Sequence, residues 1–491
     1  MASYDYDVVV LGAGAAGLTA SGFAAAFGAR TALIENARTG GECTWTGCIP
    51  SKALIKAARV AHTMRTAEMF GIAACEPVID FARVMESVRS TRQRVYEDAD
   101  APERITARNI DLIMASPSFV DPHTLLIEGD ETRTISARYF IICTGSSPVV
   151  PHVPGLPLQL LHTNNSIFEI SELPGRLLVI GAGPVGVEMA QAFRRFGSAV
   201  SVVDRKDRIL CADEPECAAL VRRRLEAEGI VFRLGNQVES VTASGNGYAA
   251  LVSHGEQWMT VNFDMVLAAA GRRPNVHGLA LEAAGVAYND HGITINHSCQ
   301  TSASHIYACG DVTDGPHFTH VAEDMARTAA TRLLLKVPAA YERRSIPWVT
   351  FTDPELAHLG QTSVQLEENG VRYETIRFPY SRLDRSLIDR TDDGVVLVHI
   401  SPVSGKILGA HIAGECAGEM INEFALAMHR GLSIREISGT VHAYPTYTLG
   451  VRRVSDQWYV RQGSPRIVDT VRSIFGYRGR PMEGLGTTDI V

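Results

Sequence analysis

The chain has no surplus of positive charge to offer a polyanion: 46 Lys and Arg stand against 54 Asp and Glu, a formal net charge of −8, and the pI is near 6.1. No basic field therefore invites nucleic acid. A basic leader is missing as well. The one long uncharged run, Val8 to Ala29, is long enough to span a bilayer, but the Met-Ala-Ser-Tyr-Asp-Tyr-Asp before it is acidic, where a signal peptide needs a basic n-region. That run holds five glycines, and its opening Val8 to Leu11 reads as a buried strand. A strand, a Gly-rich turn and an Ala-rich helix account for it, and membrane insertion is not expected. Regular cysteine spacing is absent too. The nine cysteines, an odd number, are scattered at 43, 48, 75, 143, 211, 217, 299, 309 and 416. This excludes a secreted disulfide framework and points to a reducing cytoplasm, where any disulfide is catalytic.

What the sequence does contain is a repeat. Its 491 residues suffice for roughly two to four domains. Asp7-Val-Val-Val-Leu-Gly-Ala-Gly-Ala-Ala-Gly17 recurs as Leu177-Leu-Val-Ile-Gly-Ala-Gly-Pro-Val-Gly186. An Ala-rich helical pattern follows each copy, then a strand ending in an acid, Glu35 or Asp204, eighteen residues past the last glycine in both. Each copy also has a later echo, Tyr139-Phe-Ile-Ile-Cys-Thr-Gly-Ser146 and Met265-Val-Leu-Ala-Ala-Ala-Gly271. Two nested dinucleotide-binding units of Rossmann type explain the pattern. Gly12 permits the tight turn, Gly14 admits a pyrophosphate to the backbone and Gly17 allows close helix–strand packing. Gly181, Gly183 and Gly186 do the same in the second copy. Glu35 and Asp204 bind ribose hydroxyls, with Asp204 favouring NAD(H) over a 2′-phosphorylated coenzyme although Arg205, Lys206 and Arg208 follow it.

After Ser345-Ile-Pro347 the character changes. Gly394-Val-Val-Leu-Val-His-Ile and Gly405-Lys-Ile-Leu-Gly-Ala-His-Ile read as adjoining strands, and Glu419 to Leu432 as an amphipathic helix. The expected fold is α/β, with two nested Rossmann-like domains and a C-terminal α+β domain. Its expected limits are 1–155 and 280–345 for the first nucleotide domain, 156–279 for the second, 346–465 for the α+β domain, and 466–491 as a loose tail.

Eight residues after Glu35, where the chain has just left the second strand, comes Cys43-Thr-Trp-Thr-Gly-Cys48, followed by Ile-Pro-Ser-Lys52. Pro50 suits a first helical turn, so Cys48 falls at a helix N-terminus, where the dipole and Lys52 depress a thiol pKa. The string Gly40-Gly-Glu-Cys-Thr-Trp-Thr-Gly-Cys-Ile-Pro-Ser-Lys52 resembles the active-site signature of the pyridine nucleotide–disulfide oxidoreductases, which include dihydrolipoamide dehydrogenase, glutathione reductase and mercuric reductase. The resemblance continues through Val179 to Ala190, His305-Ile-Tyr-Ala-Cys-Gly-Asp311, Val349 to Gly360 and His442-Ala-Tyr-Pro-Thr446, covering roughly residues 5 to 460. It implies FAD on the first unit, Cys48 as the thiolate beside the flavin and Cys43 as the interchange thiol. It further implies a Lys52–Glu188 ion pair near the flavin, Asp311 on the ribityl chain and Phe318 to Ala322, with His320, along the ring. Thr144, Gly145, Ser146 and Gly271 complete the expected cofactor contacts. A homodimer built by the C-terminal domain is implied too, and no resident metal.

Two departures bear on the acceptor. The family's thiol-reducing members place a His-x-x-x-x-Glu dyad where this chain has Tyr444 and Leu449. A phenol with pKa near 10 is a poor proton shuttle at neutral pH; His442, two residues earlier, is the alternative base. Mercuric reductases resemble this chain in the tyrosine but carry a C-terminal cysteine pair, whereas no cysteine follows Cys416 here. The expected enzyme reduces a small-molecule or metal-ion acceptor: a metal ion, a quinone or an unusual disulfide. Dihydrolipoamide dehydrogenase with a substitute base and a redox-sensing flavoprotein are the alternatives.

Overall fold

The computed structural model describes residues 4–129, 131–245, 247–343, 345–462 and 465–479. The apolar run that opens the chain is a strand, Tyr6–Leu11, buried along most of its length and paired in parallel with Thr31–Glu35 on one side and Arg133–Ile142 on the other. Ile110–Met114 extends the sheet beyond Thr31–Glu35, and Ile306–Ala308 joins Arg133–Ile142 in parallel from much later in the sequence. Thr124–Glu128 and Ser116–Asp121 add an antiparallel flap to the same sheet. Helices Ala15–Ala26 and Thr319–Leu335 pack together beside it.

The second glycine copy lies inside this unit. Arg176–Ile180 is central to a parallel sheet with Ala199–Asp204 and Val231–Leu234 on one side and Met265–Ala268 and Leu161–His162 on the other. An antiparallel meander, Gln237–Ser244, Gly247–His254 and Gln257–Phe263, is inserted before Met265. Both sheets therefore show the parallel strand–helix–strand arrangement that the repeat predicts.

The C-terminal unit is a five-stranded antiparallel sheet in the order Pro347–Thr350, Glu355–Gly360, Ile407–Gly414, Val395–Ile400, Glu374–Pro379. Helix Ala417–His429 packs on this sheet. Helix Pro215–Ala227, from the second unit, also reaches its central strands. No helix among the described residues is long and apolar enough to cross a membrane. The loose tail expected from 466 opens instead with a helix, Pro465–Phe475; residues 480–491 lie outside the described residues.

A buried arginine joins the second and third units. Arg195, 3% exposed in its side chain, reaches Glu228 at 2.7 Å and Asp353 at 2.8 Å, so one guanidinium neutralises carboxylates from both. Removing it takes from Asp353 the guanidinium it bonds and leaves Glu228 with Arg224 alone, at 3.1 Å, in a desolvated place. Arg195→Met is expected to cost about 3–5 kcal/mol, the range for breaking a buried ion pair. Urea or thermal melting followed at the seam checks this; a change below about 1 kcal/mol, the size of an exposed pair, would contradict it.

Candidate functional site

The two glycine turns are near-copies in space. Gly12 has φ +98°, and a Cβ there would meet the Cys143 carbonyl at 2.4 Å. A Cβ on Gly17 would sit 1.8 Å from the Gly12 oxygen, and one on Gly186 would sit 1.9 Å from the Gly181 oxygen. Helices Ala15–Ala26 and Pro184–Phe196 begin immediately after Gly14 and Gly183, so their unpaired N–H groups point out of each turn, as anion binding requires. Glu35 accepts the Ala13 N–H at 2.8 Å, and Asp204 accepts the Ala182 N–H at 2.6 Å. Each acid is thus braced against its own glycine turn.

The cysteine loop is pressed against the first turn. A Cβ on Gly41 would lie 2.5 Å from the Gly14 Cα, so only glycine lets the two backbones approach. Cys43 lies in the short helix Gly41–Trp45, and Cys48 is the first residue of helix Cys48–Thr66. Both are thiols, half-buried and exposed respectively. A hydrogen bond from Cys43, with further help from Thr319 and the Lys52 charge, pushes the Cys48 thiol down to about 6. The same bond, with burial, pushes Cys43 up. One turn into the helix, Lys52 Nζ lies 3.0 Å from Glu188 Oε2. The Glu188 side chain is only 5% exposed and also accepts the Phe351 N–H at 2.8 Å. Lys52 Nζ sits 4.6 Å above the Phe351 ring. Three units of the chain thus meet beside the thiols.

Several participants escape sequence reasoning. Glu42 precedes Cys43 and receives both arms of Arg272, one at 2.7 Å, while burial holds its carboxyl above the usual range despite that partner. Arg272 Nε also donates to Ser146 Oγ at 2.8 Å, and Ser146 Oγ donates to Asp311 Oδ2 at 2.9 Å. Thr144 Oγ1 donates to the Asn275 carbonyl at 2.8 Å, next to Gly145 at φ +68°. The Gly271 carbonyl accepts the Val149 N–H at 2.9 Å, tying the two echoes together. The available signal was position alone: an acid abutting the first cysteine, and an arginine abutting Gly271. In the segment 318–322 it is Thr319 that reaches Cys48, at 3.5 Å. His320 instead bonds the Pro347 carbonyl at 2.8 Å, its ring stacked near Phe318.

The residues at the missing dyad are separated by their surroundings. Tyr444 is 68% exposed, and a hydrogen bond to Asp384 raises its phenol further. Leu449 is buried in the C-terminal core. His442 has only 5% of its side chain exposed and both nitrogens engaged, Nε2 with Glu423 at 2.9 Å and Nδ1 with the Thr440 carbonyl at 3.0 Å. It clamps the loop that presents Tyr444.

Residues 6–326 match the pyridine nucleotide-disulphide oxidoreductase family, and residues 346–453 match its dimerisation domain. The chain is 32% identical over 453 residues to a mercuric reductase of Staphylococcus aureus, covering 91% of this chain and 81% of that one. It is 31% identical to a dihydrolipoyl dehydrogenase of Geobacillus stearothermophilus, covering 90% and 93%. Its fold is similar to a Cu(II) complex of a mutant of the HOCl-induced flavoprotein disulfide reductase RclA from Escherichia coli. That match has a TM-score of 0.83 and 26% identity, covering 92% of this chain and 99% of that one. The chain belongs to the pyridine nucleotide-disulphide oxidoreductases, enzymes that bind FAD and use a pyridine nucleotide, and it carries that family's dimerisation domain.

Proposed function

We propose that this enzyme takes electrons from NADH and delivers them, through the Cys43–Cys48 pair, to a thiophilic metal ion. The observation that carries this reading is the state of the histidine nearest the family's base position: His442 is buried with both nitrogens engaged, and Tyr444 stands where that base belongs. A dithiol or disulfide substrate needs a proton moved at sulfur, whereas a metal ion deprotonates the thiol it coordinates. Among acceptors that bind at the sulfurs, the one that dispenses with a base is the metal ion. The mercuric reductase relatives and the Cu(II)-bound RclA structure support the same direction.

The residues present fit the two nucleotides. The Gly12–Gly17 turn and Glu35 would hold FAD, with Thr144, Gly145, Ser146 and Asp311 at its far side. The Gly181–Gly186 turn and Asp204 would hold NADH, with Gly271 opposite. Bound FAD supplies the redox group between nicotinamide and thiols. The chain's own part is electrostatic. At neutral pH Cys48 is a thiolate and Cys43 keeps the proton it shares with it. Lys52, fixed by Glu188, places a positive charge toward that thiolate. Cys43 and Cys48 would hold an incoming metal ion through their sulfurs, the Cys43 proton passing to solvent, with NADH as the source of the electrons that reduce it. Arg208 is occupied by the carbonyls of Asp213 at 2.9 Å and Cys211 at 2.8 Å, which leaves Asp204 facing the coenzyme with only Arg205 and Lys206 to offset it. We assign 1–155 with 280–345, 156–279 and 346–465 as the domains, on sheet membership, and place the enzyme as a homodimer in the cytoplasm.

Three outcomes are expected. In the two-electron-reduced enzyme, thiolate absorbance should titrate near pH 6. Its midpoint should rise in Lys52→Met, which removes a stabilising charge, and fall in Glu188→Gln; a Lys52→Met midpoint that does not move would remove Lys52 from the thiol site. Steady-state kinetics should give a higher kcat/KM for NADH than NADPH, and Asp204→Ala should narrow or reverse the ratio; NADPH preference in the wild type would overturn the assignment. In an acceptor screen, Hg(II) or Cu(II) reduction should exceed lipoamide turnover by about 10²–10⁴-fold, the usual worth of general acid–base help. Tyr444→His should raise lipoamide turnover. Lipoamide turnover matching that of metal reduction, or activity confined to quinones, would refute the metal reading.

A further inference from the structure

Three histidines lie side by side on the face of the C-terminal sheet turned toward the second unit. Strand alternation puts His358, His411 and His399 on that face with Leu356, Leu397 and Ala413, and His358 pairs directly across the ladder with His411. Asp213 and Glu214, immediately before helix Pro215–Ala227, come down onto them. We propose that Glu214, His399 and His411 form a buried binding site for one borderline divalent transition-metal ion, zinc or copper(II), which ties the second nucleotide-binding unit to the dimerisation domain.

The donor atoms converge. His399 Nε2 is 3.2 Å and His411 Nε2 4.0 Å from Glu214 Oε2, and one ligand atom from each of the three lies within 4.8 Å of the others. Nitrogen and carboxylate ligands about 2.0–2.2 Å from a zinc ion stand roughly 3.4 Å apart, so approaches of up to about 1.4 Å, shared between two side chains, close the set. The side chains are ready as ligands. A ligating imidazole commonly gives its other nitrogen to an outer partner. His399 Nδ1 meets the Thr375 hydroxyl at 2.9 Å, which turns Nε2 to Glu214 and the cation; His411 Nε2 meets the Gln361 carbonyl at 3.1 Å, so this ring ligates either by trading that contact for the cation or by turning its free Nδ1 to it.

An independent observation asks for a cation here. His411 Nδ1 and His358 Nδ1 are buried without a hydrogen-bond partner among the described residues. Their other nitrogens face the carbonyls of Gln361 and Gly360, so each Nδ1 presents a lone pair to the interior. Glu214 adds a carboxylate, held in place by the amide and hydroxyl of Ser363 and by His399. Imidazole donors select zinc or copper over magnesium or calcium. This site has no sulfur and is separate from the thiol pair, so it serves structure rather than turnover.

The test uses the full-length flavoprotein with Cys43→Ser and Cys48→Ser, so that the thiols bind nothing. After chelator treatment, one sample is titrated natively with Zn²⁺ by calorimetry and with Co²⁺ by visible absorption; another is refolded with Zn²⁺ and FAD present and its metal content measured. The expected result is one ion per chain in at least one preparation, a higher thermal midpoint and cobalt bands without a thiolate charge-transfer component. His399→Asn should abolish it. Thr375→Val, a milder change, should weaken binding about 10- to 100-fold, as removal of an outer partner does; its flavin content shows that the fold is kept. Absence of stoichiometric metal from both preparations, or equal affinity in Thr375→Val, would overturn the proposal.

Discussion

Glu188 is a carboxylate that its surroundings would reject without its partners. Taking such a charge out of water costs several kcal/mol unless it is both paired and hydrogen-bonded. Lys52 supplies the charge and the Phe351 amide supplies the hydrogen bond. Lys52 stands one helical turn beyond Cys48, so the thiol, the carboxylate of the second unit and the first strand–loop of the third are mutually positioned. Shifting any one of them leaves a buried anion exposed to apolar surroundings. The site's geometry is therefore a property of all three units together.

The seam between the second and third units follows the same logic. Arg195 bridges Glu228 and Asp353, Trp348 Nε1 donates to Asp213 at 2.8 Å, and Ser363 donates to Glu214 from both its amide and its hydroxyl. Such contacts contribute less net stability than apolar packing but are intolerant of slippage, because a displaced partner strands a charge. An apolar seam would permit many registers; this one permits few.

How much of this was legible in the sequence depends on whether a feature is local. Gly12, Gly17 and their counterparts were legible because steric demands within a few residues dictate them, and Cys48 at a helix start followed from Pro50 and Lys52. The Lys52–Glu188 pair came only from the resemblance, since 136 residues separate its members. Glu42 with Arg272, 230 residues apart, left no local trace. Thr319 was overlooked for its neighbour His320 because imidazole attracts attention where a hydroxyl does not; backbone direction, not residue chemistry, decides which side chain meets Cys48. The tail beyond 465 looked patternless because Gly and Arg dominate its composition, yet its first part is helical. The histidines at 358, 399 and 411 each read as one more residue in an apolar strand, and only the ladder register brings them together.

The late return of Ile306–Ala308 to the first sheet has a consequence for synthesis. The edge of Phe140–Ile142 that it covers is made some 160 residues earlier. At about 5–20 residues per second, the nascent chain carries that parallel edge uncovered for roughly 8–30 s. Meanwhile Leu161 to Ala268, which contains every strand of the second sheet, emerges and can close on itself. The unit encoded in the middle is thus complete before the one that begins the protein, and the opening domain leaves the ribosome with a raw side of the kind that invites foreign strands. The flap at Ser116–Asp121 and Thr124–Glu128 covers the Arg133–Ser136 part of that same edge from the start, but the Phe140–Ile142 part waits for its own chain.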